Sequence, residues 1–188
     1  MSHNLSSGAG VAIDGTGRRV ALVCARFNDL IVGRLRDGAI AALIDHGVDE
    51  ADITTVWVPG ALEAPQAVRA ACDSGRFDVV VALGTVIRGD TYHFEIVAET
   101  SAIGIDRVAT STPVAVTNGI LTVDTVEQAD VRSATAEQRA DAATQQNDNE
   151  LATGGGDGAS AASPTNKGAE AALAALDLAA TLDALRQP

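Results

Sequence analysis

Apolar and polar positions between Arg19 and Leu121 follow two alternating patterns. Short, almost unbroken apolar runs have the length of buried strands, and the longer stretches between them repeat their apolar residues at helical spacing. Strands are predicted at Val20–Ala25, Ile53–Val58, Val79–Leu83 and Val114–Thr117, and helices at Leu30–His46, Glu63–Ser74 and His93–Ala109. Alternation of strand and helix is typical of a parallel sheet with helices on its faces.

The order of these elements predicts an α/β fold, a three-layer flavodoxin-like sandwich whose four-stranded parallel sheet is flanked by helices. Crossovers between parallel strands are almost always right-handed, and four strands are too few for a barrel. Ligands in such sheets bind beyond the carboxyl ends of the strands. The segments predicted to follow those ends are Arg26-Phe27-Asn28, Gly60-Ala61-Leu62-Glu63, Gly84 to His93 and Asn118-Gly119.

The pattern changes after the helical turns near Gln128. Residues 134–164 are small and polar, and Leu151 is their only large aliphatic side chain. Such a segment buries too little apolar surface to offset an ordering cost of about 1 to 2 kcal/mol per residue. We therefore expect a flexible low-complexity insertion loop, in which a frayed helix from Ala134 to Ala143 is possible, within a single domain formed by residues 1–188.

A last helix is predicted after Pro164, with apolar residues over a wide arc that faces both the sheet and a partner. Its two predicted apolar stripes are Leu173, Leu176 and Ala180, and Leu178, Leu182 and Leu185.

Charge and composition exclude several classes of function. The formal net charge of −12 argues against broad contact with nucleic acid or anionic lipid. The longest nearly uncharged strand-like run, Val79–Ile87, is far shorter than the roughly 20 residues of a membrane-spanning helix. Met1–Gly10 lacks the basic and apolar parts of a secretory signal, so we expect a cytoplasmic protein without nucleic-acid or membrane partners. Cys24 and Cys72 stand apart among apolar neighbours, which predicts buried free thiols rather than a metal or redox site.

The segment from Gly84 to His93 is the first candidate for chemistry. Gly84 and Gly89 let the backbone approach a ligand, and exposed N–H groups with the Thr91 hydroxyl could hold an anion. His93 could exchange protons at neutral pH. An ordinary strand-to-helix turn with an exposed capping histidine explains the same residues, so both interpretations stay open.

The segment Val58–Pro65 places a proline turn, a glycine and the Glu63 carboxylate at another strand end. These groups could bind a polyol or the edge of a ring, although Glu63 is equally suited to the first turn of a helix. Phe27 could stack on a heteroaromatic ring or cover the core. Arg132 and Lys167 bracket the insertion and could bind phosphate or be solvated surface charges.

Five segments occur in order along the chain: Arg26-Phe27-Asn28, Val58-Pro59-Gly60-Ala61-Leu62-Glu63, Gly84-Thr85-Val86-Ile87-Arg88-Gly89-Asp90-Thr91-Tyr92-His93, Asn118-Gly119-Ile120-Leu121-Thr122 and Asn166-Lys167-Gly168. Together they strongly resemble the 6,7-dimethyl-8-ribityllumazine synthase family, over about Gly8 to Gln128 and from Asn166 to the end. The resemblance implies a transferase of riboflavin biosynthesis that condenses 5-amino-6-ribitylaminouracil with 3,4-dihydroxy-2-butanone 4-phosphate, releasing phosphate and water. It implies no cofactor and no metal.

The resemblance also implies a role for individual residues. Those implied for the pyrimidine and ribityl parts of the substrate are Phe27, Asn28, Gly60, Ala61, Leu62, Glu63, Val86, Ile87 and Asn118. Those implied for phosphate are Gly89, Asp90, Thr91, Arg132 and Lys167. His93 matches the residue that transfers protons near the forming imine.

The family places its site between subunits, which implies a homo-oligomer in which a neighbour supplies the region of Asn118, Arg132 and Lys167. Relatives form pentamers, and some stack these into an icosahedral 60-mer. The insertion leads us to expect an isolated pentamer or a pentamer pair, with riboflavin synthase as the pathway partner.

The sequence departs from the family pattern at Asn118, where many relatives carry an aromatic residue, and at the insertion. These departures keep open a flavin- or lumazine-binding carrier without turnover, and the shell-forming relatives keep open a structural cage component.

Overall fold

The structure is a computed structural model that describes residues 13–135, 137, 138, 140 and 166–186. Its strands are β1 (Val20–Ala25), β2 (Ile53–Val58), β3 (Val79–Ile87) and β4 (Ala115–Val123). Its helices include α1 (Asp29–Asp45), α2 (Ala64–Asp73), α3 (His93–Ala109), α4 (Val126–Ser133) and α5 (Lys167–Arg186), and a 3-10 turn at Glu50–Asp52 precedes β2. Of the predicted frayed helix at Ala134–Ala143, Glu137, Gln138 and Ala140 are described and are helical; its other residues after Thr135, and most of the insertion, lie outside the described residues.

The four strands form one parallel sheet in the order β2-β1-β3-β4. Val20 pairs with Ile53 on one side and with Val79 on the other, so the strands begin level. The longer strands β3 and β4 therefore extend past β1 and β2 at the carboxyl edge. This arrangement confirms the predicted α/β fold with a four-stranded parallel sheet.

The predicted strand ends at Leu83 and Thr117 are wrong, because pairing continues to the ends of β3 and β4. Gly84 and Asn118-Gly119 have the composition of turns, yet they lie inside the strands. Gly119 is required there for space, since a Cβ would lie 2.8 Å from a Leu83 methyl group and 2.9 Å from the Cβ of Ala171. Close packing, rather than a turn, explains this glycine.

Alternate strand residues face two helical layers, as strand geometry requires. The face covered by α1 and α5 buries Val20, Leu22, Cys24, Val79, Val81 and Leu83. The face covered by α2 and α3 buries Ala21, Val23, Ala25, Val80 and Ala82. The core is thus built from aliphatic side chains on both sides of the sheet.

Small residues form the buried face of α5, which lies against α1 and β4. The buried residues of this helix are Gly168, Ala172, Ala175, Leu176 and Ala179. The predicted stripes are wrong in part, because Leu173 and Ala180 are only half-buried and Leu185 is 77% exposed. A Cβ on Gly168 would overlap the backbone carbonyl of Leu35, so the two helices approach too closely for leucine at these positions.

Asn166 joins the end of α4 to the start of α5. Its side chain is buried, with its Nδ2 donating to the carbonyls of Arg34, Ser133 and Ala134 and its Oδ1 accepting from the N–H groups of Gly168 and Ala169. One amide therefore caps α5 and holds it against α1 and α4.

Cys24 and Cys72 are buried free thiols, which confirms the prediction for both. Burial raises the pKa of the Cys24 thiol to about 12 and also raises the pKa of Cys72. Along the described ranges, no helix has both the length and the apolar character needed to cross a membrane.

Candidate active site

The carboxyl ends of β1, β2 and β3 surround a cavity of about 410 Å³. Its lining consists of Phe27, Pro59, Gly60, Ala61, Leu62, Glu63, Thr85, Val86, Ile87, Gly89, Thr91, His93, Phe94 and Val97. The volume suits a small organic ligand. Segments far apart in the sequence thus meet at the edge where parallel sheets bind ligands.

The turn after β1 holds Phe27 at the mouth of the cavity. The N–H of Arg26 donates to Val58 O at 2.8 Å, and the N–H of Phe27 donates to Pro59 O at 3.3 Å, which continues the pairing of β1 with β2. The Phe27 side chain is 74% exposed, so its ring face is free to contact a ligand.

Asn28 lies beside Phe27 but does not line the cavity. Its φ of 63° puts it in the left-handed region, which Asn tolerates better than most residues. Its Nδ2 donates to Thr85 O at 2.9 Å. This bond connects the β1–α1 turn to β3, so within this chain Asn28 supports the position of Phe27.

The turn after β2 presents Glu63. Tight backbone bonds shape it, from the N–H of Glu63 to Gly60 O and from the N–H of Ala64 to Ala61 O, both at 3.3 Å. A Cβ on Gly60 would lie 3.1 Å from Oε2 of Glu63, so the carboxylate folds back over this glycine. The Glu63 side chain forms no hydrogen bond with any residue that the structure describes, which leaves its oxygens available to ligand hydroxyls.

The end of β3 and the start of α3 form the third wall. Val86 is buried, whereas Gly89, Thr91 and His93 are exposed along the loop and line the cavity; Asp90 is exposed but outside the lining. α3 has 17 residues and no side-chain cap at its first turn. Its N-terminal amides and its dipole therefore favour a negatively charged group beside this loop.

Three predicted residues lie elsewhere on the same chain. Asn118 lines a separate cavity of about 280 Å³ between α3 and β4, and its Oδ1 accepts from the N–H of Ile120. Arg132 on α4 donates to Gln128 O at 3.1 Å, and Lys167 at the start of α5 pairs with Glu170 at 2.6 Å. One copy of the chain does not bring these residues into the 410 Å³ cavity.

Sequence reasoning missed four residues of the lining: Pro59, Thr85, Phe94 and Val97. Thr85 is 3% exposed, and its hydroxyl has no partner among the described residues. A lone hydroxyl in an otherwise apolar strand was the available signal. Val97 follows His93 on α3 by four residues, where helical spacing returns to the same face, whereas Phe94 is adjacent to His93 and no helical spacing indicates it.

The lining contains two titratable side chains, Glu63 and His93, and no Lys or Arg. Beside it, Asp124 and Glu95 accept hydrogen bonds from Arg88 and raise the pKa of its guanidinium. The same bond from Arg88 lowers the pKa of Glu95. An anionic ligand would therefore find amide donors at this cavity but no cationic side chain among the described residues that line it.

Comparison with known proteins gives consistent matches. The family model described as 6,7-dimethyl-8-ribityllumazine synthase matches residues 17–183. A protein of that name from Cupriavidus necator is 50% identical over 121 residues, which are 64% of this chain and 73% of the relative. One from Leuconostoc mesenteroides is 46% identical over 121 residues, 64% of this chain and 78% of the relative. One from Gemmatimonas aurantiaca is 43% identical over 164 residues, 87% of this chain and 84% of the relative.

Proposed function

The chain belongs to the 6,7-dimethyl-8-ribityllumazine synthase family, a family of transferases in riboflavin biosynthesis, and on that premise we propose the reaction that its cavity carries out. The reaction condenses 5-amino-6-ribitylaminouracil with 3,4-dihydroxy-2-butanone 4-phosphate and releases phosphate and water. The observation that carries the proposal is that Phe27, Glu63, Thr91 and His93, drawn from three strand ends, line one cavity.

The heterocyclic substrate occupies the β1 and β2 side of the cavity. The exposed face of Phe27 stacks on the pyrimidine ring, with Asn28 supporting it. Glu63, at the end of the turn through Gly60, Ala61 and Leu62, accepts hydrogen bonds from ribityl hydroxyls. The backbone at Val86 and Ile87 contacts the uracil edge. The unpaired carboxylate of Glu63 and the exposed ring of Phe27 support this placement.

The phosphorylated substrate occupies the β3–α3 side. Gly89, Asp90 and Thr91 surround the phosphate, and the first amides of α3, which no side chain caps, are available to bind it. His93 moves protons as the amine attacks the ketone, as the resulting carbinolamine loses water to form the imine, and as the C–O bond to phosphate breaks. Most of the acceleration comes from holding the two substrates together, since they condense slowly unaided.

A neighbouring copy of the chain completes the site. The cavity lining has no Lys or Arg, whereas phosphate binding calls for positive charge. Arg132 and Lys167 lie elsewhere on the protomer, as does Asn118. The adjoining subunit supplies these three residues, so a homopentamer is part of the active site.

The remaining features follow from the same proposal. Residues 1–188 form one domain interrupted by the 134–164 insertion, and the insertion favours an isolated pentamer or a pentamer pair over the icosahedral 60-mer. The protein acts in the cytoplasm, and riboflavin synthase uses its product. No cofactor takes part.

The test is to mix both substrates with the purified protein and to follow product absorbance together with phosphate release. We expect steady turnover with one phosphate per product, whereas a flavin- or lumazine-binding carrier would bind product without forming it. Absence of turnover at saturating substrates would contradict the proposal.

A matched pair of variants locates the reaction in the cavity. Phe27 and Leu30 are both highly exposed apolar residues near the start of α1, at 74% and 83%, but only Phe27 lines the cavity. Loss of stacking in Phe27→Ala should raise the KM for the ribityl substrate by about 5- to 10-fold, as expected for about 1 kcal/mol of aromatic contact. Leu30→Ala should leave this KM unchanged, and equal effects would place the substrate elsewhere.

A further inference from the structure

Arg88 is the first residue after β3, and it contacts the elements on both sides of the cavity edge. Its N–H donates to Val123 O at 2.9 Å, and its Nε donates to Oδ1 of Asp124 at 2.7 Å. Its Nη1 donates to the Glu95 carboxylate, and its guanidinium carbon lies 4.0 Å from the ring centroid of Phe94. One side chain thus joins the end of β4 to the first turn of α3.

The loop between these contacts has little else to hold it. Residues 88–93 are all exposed, so packing in the core does not fix them. The backbone bonds of the described loop, from Phe94 N–H to Thr91 O at 3.4 Å and from Ile96 N–H to Tyr92 O at 3.3 Å, are long and local. These two bonds shape the first helical turn, and the main-chain bond from Arg88 N–H to Val123 O connects only the start of the loop to the sheet.

The partners of Arg88 are themselves anchored. The N–H of Asp124 donates to Oε1 of Gln128 at 3.0 Å, so the carboxylate that receives Arg88 lies at the start of α4. Phe94 lines the cavity directly after His93. A shift of the guanidinium would therefore displace the ring beside the catalytic imidazole.

The positive charge of Arg88 is compensated by side chains of the same protomer. Two carboxylates pair with it, and Arg88 does not belong to the cavity lining. An arginine compensated in this way contributes little direct attraction to a substrate phosphate. Its planar group instead fixes two carboxylates and a ring at once, which Lys cannot reproduce.

We propose that Arg88 is a positioning residue, which holds the loop carrying Gly89, Thr91 and His93 in register with the end of β4. This inference rests on the proposed function, because its consequence is the placement of the phosphate loop for the same reaction.

The experiment compares Arg88→Met and Arg88→Lys with the wild-type protein. Methionine keeps an apolar stem on Phe94 but removes both ion pairs, so we expect the KM for the phosphorylated substrate to rise and kcat to fall, together reducing kcat/KM by roughly 10- to 100-fold. The KM for the ribityl substrate should change little. Lysine keeps the charge and can satisfy one carboxylate, so it should recover only part of the loss.

Arg36→Met is the matched control. Arg36 also pairs with a carboxylate, Asp37, and its guanidinium carbon lies 5.7 Å from the ring centroid of Trp57, but it lies on α1 outside the cavity lining. Both ion-pair systems are surface-exposed, so each variant should shift the Tm by less than about 4 °C. Kinetic constants in Arg88→Met equal to those in Arg36→Met would overturn the inference.

A second comparison separates position from charge. Removing Arg88 leaves the negative charges of Glu95 and Asp124 near the phosphate. If repulsion alone explained the loss, the triple variant Arg88→Met/Glu95→Gln/Asp124→Asn would regain wild-type kcat/KM, and that recovery would overturn the positioning role. We expect no recovery.

The two proposals fail differently. A wild-type protein without turnover contradicts the proposed function, and the positioning role is then judged by the Kd for inorganic phosphate, measured by calorimetry. A Kd that is weaker in Arg88→Met than in Arg36→Met supports the role, and equal values overturn it.

Discussion

His93 and Glu63 are the two titratable side chains on the cavity lining, and neither is paired with a described residue. Elsewhere on the described surface, most acids and bases with shifted pKa values are held by partners, as Asp78 is by Arg19. A polar side chain kept unpaired at the end of a sheet retains its hydrogen-bonding capacity for a ligand. The contrast separates groups available for chemistry from groups that support the fold.

His93→Ala should lower kcat by about 100- to 10,000-fold, the usual contribution of general acid–base catalysis, while binding and orientation preserve residual turnover. The KM values should change little, because the side chain acts mainly on proton transfer. Steady-state kinetics with both substrates saturating provide the measurement.

His46→Ala is the control for this variant. Nδ1 of His46 lies 2.8 Å from Ala42 O at the end of α1, outside the cavity lining. Its kcat should match the wild-type value. If His93→Ala did so as well, His93 would have no part in proton transfer.

The sequence allowed site residues to be predicted where a side chain suited to chemistry directly follows a predicted strand. Phe27, Glu63 and His93 stand out in the sequence because an aromatic ring, an acid and an imidazole each follow an apolar strand. The sequence did not assign the Thr85 hydroxyl to the cavity, because Thr85 lies within β3, and the face of the sheet to which each β3 side chain points depends on how the whole sheet is assembled. The sequence likewise does not reveal that the Asn28 side chain bonds Thr85 O, a contact across 57 positions.

At the level of elements, backbone contact between α1 and α5 fixes the C-terminal helix. Gly168 lies against the carbonyl of Leu35, and the other buried residues of α5 are three alanines and Leu176. Helical periodicity predicted that α5 exists and that Leu176 is buried, but it was wrong for the rest of the stripe, because hydrophobicity scales rank leucine above the small residues that permit close approach. The same limit explains β4, where Gly119 reads as a turn residue but is needed to admit Ala171.

Gly168→Ala should destabilise the protein by about 1 to 3 kcal/mol, since the added methyl group must displace backbone rather than a flexible side chain. Urea unfolding at fixed protomer concentration measures the free energy of unfolding, which otherwise varies with assembly.

Gly33→Ala is the matched control. Gly33 is also a helical glycine, on α1, and a Cβ there meets no atom within 4 Å. Alanine has the higher helix propensity, so this variant should gain about 0.4 to 1 kcal/mol. Destabilisation of equal size in both variants would show that helix–helix contact at Gly168 is not the cause.

At the scale of the whole molecule, the cavity mouth carries exposed apolar residues on an acidic protein. Phe27, and Tyr92 between the lining residues Thr91 and His93, are at least 70% exposed, although the net charge is −12. On the proposal that the site is shared between subunits, we expect these exposed apolar side chains to be covered by a second copy of the chain. A second copy that covers them would also supply the missing cations.

Light scattering should find a particle of about 95 kDa, since five chains of 19.1 kDa make a pentamer, or twice that mass for a pentamer pair. A monomer that turns over both substrates would contradict the shared site. A shell of sixty chains, above about 1 MDa, would contradict the expectation based on the insertion.

The side chain of Asn166 bonds the last carbonyls of α4 as well as the first amides of α5. The end of α4 and the start of α5 are therefore held next to each other, whatever the length of the polypeptide that connects them. The entropic cost of closing such an excursion grows only logarithmically with the number of residues. Each doubling of the length of this connection should therefore cost only about 0.6 kcal/mol of folding free energy, so a longer insertion at this junction should leave the sheet intact.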